Sequence, residues 1–344
     1  MIPGRACGRS RIVCAVLFGT AASVQTTGAT PPESGYHLVD TIRLGSGEAS
    51  GQLALDAATH RLFVPRATRV TVLDVNEGRQ VGEIKDTSGV RGVALAPALT
   101  RGFTSNGDGN TVTIFNPRTL IAASDHPETG ATPEAIVYDP GAGHVFTMNT
   151  GSNNATAIAA VDGSVAGTVP LGDRPGLAVS DGDGRVFVDL PKRSEIAVFD
   201  ARLLRVVRRW AVTPCSGALG LAIDTAHKRL FFGCRSGTMG ALDTGTGRVV
   251  ATVAIGHAVD VMRYDPATAL VFAASGDGTL TVVHQDSPDT YRIADMLTAP
   301  PGVRAMELDP STHRIYLAAH DGKAADGHRR SRTAASLVLL VYDR

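Results

Sequence analysis

Apolar and polar residues alternate in short runs along this chain, and the runs return at a nearly constant spacing. The stretch 220–232, Gly-Leu-Ala-Ile-Asp-Thr-Ala-His-Lys-Arg-Leu-Phe-Phe, is representative: it has an apolar run, a polar turn and a second apolar run. Short runs rich in β-branched and aromatic residues, separated by Gly and Asp, predict β-strands joined by turns. Almost no stretch has the longer period of an amphipathic helix.

Near-copies of this unit occur seven times in one register. An aromatic residue of the second strand marks each copy, 40 to 44 residues from the next: Phe63, Phe103, Phe146, Phe187, Phe231, Phe272 and Tyr316. Seven residues earlier comes a turn position, occupied by Asp56, Ala96, Asp139, Ser180, Asp224, Asp265 and Asp309. Three residues before that stands an apolar anchor: Leu53, Val93, Ile136, Leu177, Leu221, Met262 and Met306. Such a period predicts an all-β, seven-bladed β-propeller of four-stranded antiparallel blades.

The two ends of the chain are predicted to share one blade. Most units continue into a third and a fourth strand, but the last unit has no fourth strand. Residues 37–44 look like a fourth strand with no unit before it. We predict that this N-terminal strand closes the ring, because closure pairs edges that an open sheet would expose. The propeller is predicted to span residues 30–344. Its basic loop 319–336 is interpreted as solvated, with binding of an anionic partner as the alternative.

Residues 1–29 have the pattern of a secretory signal peptide. The segment begins with a basic region that contains Arg5, Arg9 and Arg11. Residues 12–22 follow as an apolar core too short to span a bilayer, and small residues permit cleavage after Ser23 or after Ala29. We therefore predict a periplasmic or secreted protein with no membrane span after cleavage. An uncleaved anchor or a wrongly assigned start is the alternative.

Charge balance and cysteine content narrow the class of protein. The chain has 33 basic and 33 acidic residues, so no basic excess indicates a nucleic-acid partner. After removal of the signal segment, Cys215 and Cys234 are the two cysteines that remain. The repeat register places both in loops on one face of the propeller, and the chain is predicted to be exported. We predict a disulfide between them, with two free thiols as the alternative.

Charged residues are predicted to gather at one end of the central channel, where the innermost strand of each blade begins. We call this end the channel mouth. Two residues before the apolar anchors stand Gly51, Arg91, Glu134, Pro175, Leu219, Asp260 and Arg304. Beside them lie Arg174 and His257, and the loops after the second strands add Asn149, Arg235, Arg66, Asn106, Asp189 and His320. Convergent charged groups at a concave mouth predict a ligand site. The alternative is that Arg91, Glu134, Asp260 and Arg304 neutralise one another in a solvated channel.

No motif defines a catalytic or metal centre. The sequence contains no Gly-x-Ser-x-Gly nucleophile elbow, no phosphate-binding Gly-x-x-x-x-Gly-Lys-Ser/Thr loop and no Cys-x-x-Cys-His haem motif. Glu134, Asn149 and Asp260 are residue types that Ca²⁺ accepts, but their spacing follows no motif, so no metal site is predicted. No cofactor is indicated, and whether the protein is an enzyme stays open.

The repeat resembles a known family. Residues 53–56 (Leu-Ala-Leu-Asp), 60–64 (His-Arg-Leu-Phe-Val) and 70–74 (Val-Thr-Val-Leu-Asp) are similar to the YVTN-type repeat of bacterial YncE-like β-propellers. The stretches 214–235, 260–287 and 306–317 are also typical of that repeat, and the resemblance covers about residues 38–344. It implies the propeller fold and export. It implies no activity, since the family shares no catalytic motif that can be transferred to this chain.

Functions from different classes fit these observations. The leading hypothesis is a monomeric exported binding or scaffold protein that recognises a small molecule or an envelope protein at the channel mouth. The second is a lactonase-type hydrolase at the same place, with or without a metal, by analogy of fold. In it Glu134 or Asp260 binds a metal or acts as base, and Arg91 or Arg304 holds an anionic substrate. A third hypothesis is an accessory subunit of an envelope redox system.

Overall fold

Strands make up nearly all the regular structure of the chain. The computed structural model describes residues 1–2, 34–47, 49, 51–213, 215, 217–303, 305–321 and 336–344. Nearly all of the predicted signal peptide and most of the basic loop 319–336 lie outside the described residues. The described residues form 27 strands and one 3₁₀ turn at Pro97–Leu99. None of the helical structure among them is long and apolar enough to cross a membrane.

The strands form seven sheets, the blades, and the first strand of the chain, β1 (His37–Ser46), precedes blade 1. Blade 1 contains β2 (Ala54–Asp56), β3 (Arg61–Arg66), β4 (Arg69–Asp74) and β5 (Arg79–Ile84). Blade 2 contains β6 (Val90–Ala96), β7 (Arg101–Asn106) and β8 (Thr111–Phe115). Blade 3 contains β9 (Pro133–Asp139), β10 (His144–Asn149), β11 (Asn154–Ala159) and β12 (Val165–Pro170).

The remaining blades follow the same order. Blade 4 contains β13 (Ala178–Ser180), β14 (Arg185–Leu190), β15 (Glu195–Asp200) and β16 (Arg205–Ala211). Blade 5 contains β17 (Ala218–Asp224), β18 (Arg229–Cys234), β19 (Thr238–Asp243) and β20 (Val249–Ala254). Blade 6 contains β21 (Val259–Asp265), β22 (Leu270–Ser275), β23 (Thr279–Ser287) and β24 (Thr290–Thr298). Blade 7 contains β25 (Ala305–Leu308), β26 (Ile315–Asp321) and β27 (Ser336–Asp343), with β1 as its fourth strand.

The seven blades close into a ring. The first strand of each blade is innermost, and these strands contact one another in the order β2, β6, β9, β13, β17, β21 and β25, with β25 returning to β2. All strand pairs within the blades are antiparallel. The chain is therefore a seven-bladed all-β propeller, and the predicted fold class is confirmed.

The N-terminal strand closes the ring as predicted. β1 pairs with β27 through eight residue pairs, from His37 opposite Asp343 to Ser46 opposite Ser336. Just before β1, Tyr36 is 3% exposed, and its hydroxyl donates to the carbonyl oxygen of His313 at 2.7 Å. The Tyr36 ring packs edge-on against a phenylalanine of blade 6, with the ring centroids 5.0 Å apart. The residues that precede β1 thus add contacts at the junction of blades 6 and 7.

The apolar columns of the repeat form the contacts between blades. The aromatic residue of the second strand is no more than 1% exposed in any blade. The anchor of the innermost strand packs toward the preceding blade: Met306 of blade 7 shares a cluster with Phe272 of blade 6. Likewise, Met262 of blade 6 packs with Phe231 of blade 5. Each blade therefore buries one face on its neighbour, which is why the units are stable only in a series.

Blade 4 departs from the common register. Its first hairpin is one residue shorter, so Phe187 stands opposite Val179. In the other six blades, the aromatic residue stands opposite the residue that follows the anchor. The anchor of blade 4 is therefore Ala178, which is 7% exposed, and the assignment of Leu177 to this column was wrong. A slip of one residue turns each side chain to the opposite face of its strand.

Blade 2 has three regular strands in place of the four predicted. The segment 121–128 runs along the outer side of β8 and touches it at two isolated bridges, Thr111 with Glu128 and Phe115 with Ala122. The backbone also donates from Val112 to a carbonyl of this segment at 2.9 Å. An irregular segment thus covers the edge that a fourth strand covers in the other blades, so β8 is not left as an open edge.

The predicted disulfide is confirmed. Cys215 and Cys234 are bonded, and their Cα atoms are 5.4 Å apart. Cys215 lies just before β17, and Cys234 is the last residue of β18, so both are at the channel-mouth end of blade 5. Both residues are buried. The bond ties the segment that leads into the innermost strand to the strand beside it.

Candidate ligand-binding site at the channel mouth

Irregularities at the start of the innermost strands place charged residues at the channel mouth. Arg91 in β6 and Asp260 in β21 each lie between two residues that pair with the second strand of the blade, but neither is itself paired. Glu134 in β9 is skipped in the same way. Such a β-bulge adds one residue, bends the strand and turns the side chain, and bulges are common at the rims of β-structures. The charges are therefore displayed where the strands enter the channel.

An ion pair joins blades 3 and 4 at the mouth. Arg174 Nη2 lies 3.1 Å from Glu134 Oε1, and both side chains are exposed, by 52% and 40%. The carbonyl oxygen of Glu134 also accepts a hydrogen bond from the Ser105 hydroxyl of blade 2 at 2.5 Å. A pair this exposed stabilises the fold by less than about 1 kcal/mol. Its main effect is to neutralise the carboxylate of Glu134.

Two arginines at the mouth have no acidic partner among the residues that the structure describes. Arg91 and Arg235 are both exposed, and no hydrogen bond or ion pair joins either guanidinium to another described residue. Asp260 has an interaction of its own. Arg304, the remaining charged member of the predicted ring, lies outside the described residues. Among the described residues of the mouth, Arg91 and Arg235 are therefore available to an anionic ligand, whereas Glu134 and Asp260 already have partners.

His257 is held at the mouth through its backbone. Its N–H donates to Asp277 Oδ2 at 2.6 Å, and Asp277 Oδ1 accepts from the N–H of Thr279 at 3.0 Å. Burial alone raises the pKa of Asp277, but these hydrogen bonds outweigh burial and hold the pKa below its usual value. Asp277 is consequently an anion at neutral pH, and the His257 side chain stays exposed beside Gly237.

Asn149 has partners within its own blade. It is the last residue of β10 and is fully buried. Its amide lies 2.8 to 2.9 Å from Thr147 Oγ1, Asn154 Oδ1 and Thr156 Oγ1. Asn106 makes the equivalent contacts at the end of blade 2. The polar groups of Asn149 therefore join β10 to β11 and are not available to a ligand.

Asp189, which the sequence placed in a loop at the channel mouth, is a buried carboxyl within β14. It is 0% exposed, and neither of its side-chain oxygens has a hydrogen-bond partner within the described part of the chain. Burial raises the pKa of Asp189 well above its usual value, and the nearby N–H groups of Leu177 and Gly176 only partly oppose this. A Cβ on Gly176 would lie 1.9 Å from Asp189 Oδ1, so a glycine is required there. The sequence sets Asp189 apart, because the position two residues after the aromatic residue is uncharged in the other six blades: Pro65, Ser105, Met148, Gly233, Ala274 and Ala318.

Replacing Asp189 by asparagine is expected to remove a loss of stability at rising pH. The unfolded chain releases the Asp189 proton near its ordinary pKa of about 3.9, whereas the folded chain keeps it to higher pH. From about pH 4 up to the folded-state pKa, this carboxyl therefore lowers the free energy of unfolding by up to about 1.4 kcal/mol per pH unit. Asp189→Asn lacks this slope. Urea unfolding between about pH 4.5 and 8 measures it.

The matched control for this experiment is Asp183→Asn. The side chain of Asp183 is 95% exposed, so its replacement should leave the pH dependence of unfolding unchanged. Parallel pH profiles for wild type and Asp189→Asn would contradict the buried, protonated carboxyl.

A second depression lies on the outer part of the same face. It has a volume of about 600 Å³ and is lined by Thr68, Arg69, Glu83, Lys85, Asp86, Thr87 and Ser88. Glu83 lies 3.5 Å from Arg69 and 3.4 Å from Lys85, so each of these cations already has an acidic partner, unlike Arg91 and Arg235 at the mouth. Across the described residues, no three or more His, Cys, Asp or Glu side chains are arranged to hold a metal ion. The mouth is therefore the better candidate for a charged ligand.

The fold and the mouth define a class of protein, a seven-bladed β-propeller with a charged channel mouth. No family model matches the chain, and no curated protein matches its sequence. Its structure is similar to a chain in the crystal structure of the mitotic checkpoint complex, with TM-score 0.72 and 13% identity over 97% of this chain and 99% of that chain. It is also similar to a chain of Kuenenia stuttgartiensis hydrazine synthase, with TM-score 0.69 and 14% identity over 79% and 93%. At these identities the similarity establishes a shared fold alone.

Proposed function

We propose that this propeller is an exported binding or scaffold protein that recognises an anionic group at its channel mouth. The group belongs to a small molecule or to an envelope protein partner. The proposal rests on which charged side chains at the mouth have a partner of opposite charge. Glu134 is neutralised by Arg174, whereas Arg91 and Arg235 have no acidic partner among the described residues. A ligand carboxylate or phosphate supplies that partner, and guanidinium groups bind both in a bidentate way.

Membership of the YncE-like, YVTN-repeat propellers is part of this proposal. It is supported by the repeat residues at positions 53–56, 60–64 and 70–74. Export is supported by the disulfide, because disulfides persist in oxidising compartments and are rare in the cytosol. We expect the mature chain to begin at Val24 or at Thr30. N-terminal sequencing of protein from the envelope or the culture medium checks this, and an intact Met1 would contradict it.

A charge-reversal experiment tests the binding proposal. Thermal shift against a panel of carboxylates and phosphates, with pull-down from envelope extract, identifies the ligand or partner. Arg91→Glu combined with Arg235→Glu is expected to weaken its binding by at least about 100-fold, because two charge-assisted contacts of about 1.5–3 kcal/mol each are lost. Titration calorimetry measures the change. Arg205→Glu is the matched control, since Arg205 is an exposed arginine on the outer strand of blade 4.

The outcomes separate binding from catalysis. Equal loss of affinity in the control, or none in the double variant, would contradict recognition at the mouth. Turnover of a lactone or ester panel that Glu134→Ala or Asp260→Ala abolishes would instead identify a hydrolase. Binding without turnover, lost on charge reversal at the mouth, supports the binding protein.

A further inference from the structure

In several blades, the turn that follows the innermost strand contains a buried aspartate. One oxygen of this carboxylate accepts a hydrogen bond from a backbone N–H of its own turn. In Asp139 the donor is Ala142 at 2.6 Å, and in Asp309 the donor is Ser311 at 2.8 Å. These two carboxylates are no more than 1% exposed. An Asp that caps its own turn in this way explains the frequent Asp of the turn column.

The second oxygen of the same acids serves the following blade. Asp139 Oδ2 of blade 3 accepts from the Ser180 hydroxyl of blade 4 at 2.5 Å. Asp265 Oδ2 of blade 6 lies 2.8 Å from Nδ1 of His313 in blade 7. Asp224 Oδ2 of blade 5 likewise accepts a hydrogen bond from a side-chain amide of blade 6 at 3.0 Å. At three junctions, therefore, a turn carboxylate ties its blade to the next one.

The junction of blades 7 and 1 shows no such hydrogen bond, although a buried carboxylate oxygen and a buried histidine nitrogen lie on its two sides. Asp309 Oδ2 of blade 7 is buried and has no hydrogen-bond partner among the described residues. His60 Nδ1 of blade 1 is also buried, and no described residue bonds to it. Buried polar atoms without partners are rare in native proteins, so two on adjacent blades require an explanation.

The repeat makes His60 the counterpart of His313. His60 follows the turn residue Asp56 by four positions, as His313 follows Asp309. Both histidines have a left-handed backbone, with φ of 52° and 64°. Since His313 bonds to the acid of the preceding blade, a histidine with the same position and backbone in blade 1 is the expected donor to the acid of blade 7.

We propose that His60 donates Nδ1–H to Asp309 Oδ2 and so joins blades 7 and 1 on the inner side of the ring. We call this contact the seam clasp. Asp309 suits the acceptor role: burial raises its pKa, but the hydrogen-bonding groups of Ser311 and Thr312 outweigh burial and hold the pKa below the usual value. The seam clasp complements the pairing of β1 with β27 on the outer side of blade 7. The ring is thus closed at two places, one for the strand edges and one for the turns.

The tautomer of His60 tests the seam clasp directly. The nitrogen that carries the proton in a neutral imidazole is set by the hydrogen bond it makes. Long-range ¹H–¹⁵N spectra of the full mature chain at about pH 8, above the ordinary histidine pKa of about 6.5, distinguish Nδ1–H from Nε2–H. We expect Nδ1–H for both His60 and His313. Asp309→Asn should change the tautomer of His60 alone, and Asp265→Asn that of His313 alone.

Three further variants make the result decisive. Asp56→Asn alters the acid of His60's own turn and should leave the His60 tautomer unchanged. Melting temperatures of His60→Ala, Asp309→Asn and the double variant should be non-additive by about 2–4 °C. An Nε2–H tautomer in the wild type, a tautomer that responds to Asp56→Asn and not to Asp309→Asn, or additive melting shifts would each overturn the seam clasp. If His60→Ala does not fold, the tautomer in Asp309→Asn still decides.

Discussion

A chain that begins at Gly47, and so lacks β1, is expected to lose cooperative unfolding and to be digested rapidly by protease. Without β1, the strand β27 loses all eight of its partner pairs on one side. The residues 337–342 of β27 are buried between blades 6 and 1, and their unpaired backbone becomes an apolar open edge. Such an edge aggregates with other chains. Calorimetry and limited proteolysis measure the loss.

Graded controls accompany this deletion. A chain that begins at Ser34 keeps Tyr36 and β1 and should melt as the mature wild type does. Tyr36→Ala in the full chain should lower the free energy of unfolding by about 3–5 kcal/mol, as is typical for a large buried aromatic residue. A deletion variant with the wild-type melting transition would show that β1 does not close the ring.

Removal of the disulfide is expected to lower the free energy of unfolding by about 3 kcal/mol. The two cysteines are 19 residues apart in the sequence, and a crosslink restricts the unfolded chain by closing a loop of this length. Chemical denaturation of Cys215→Ala combined with Cys234→Ala, compared with the mature wild type, measures the effect. The loss should appear in the unfolding midpoint, because blade 5 keeps its four strands without the crosslink.

A thiol count provides the control for the disulfide. A chain that begins at Thr30, denatured without reductant, should show no free thiol, and the reduced chain should show the two of Cys215 and Cys234. Reductant should lower the stability of the wild type and leave the double variant unchanged. Equal stability of the oxidised wild type and the double variant would contradict the predicted effect.

The periodicity of the sequence predicted the number of blades and the strand that closes them. Seven aromatic residues in one register correspond to seven second strands, each buried against a neighbouring blade. The prediction succeeds because every blade packs against its neighbours in the same way, so the same residue types return at the same positions. Closure by residues 37–44 was predictable for the same reason, since one blade had a strand too few.

The local register and the roles of polar residues were less predictable. The turn of blade 4 is one residue shorter, which no hydrophobic pattern reveals, and the anchor was therefore assigned to Leu177 in place of Ala178. Asn149 has the composition of a ligand residue, yet its partners are hydroxyl and amide groups that only the fold brings together. Asp189 shows the converse case, because its burial depends on the absence of a side chain at Gly176, in the segment that leads into β13.

Hydrogen exchange of the mature chain, read by mass spectrometry, tests the central claim most directly. The account predicts that the amides of β1 that bond to β27 exchange as slowly as those of β26 and β27, because all three strands belong to one closed blade. Exchange of residues 37–46 at the rate of an unfolded peptide, while the other blades stay protected, would contradict a ring closed by its own N-terminal strand.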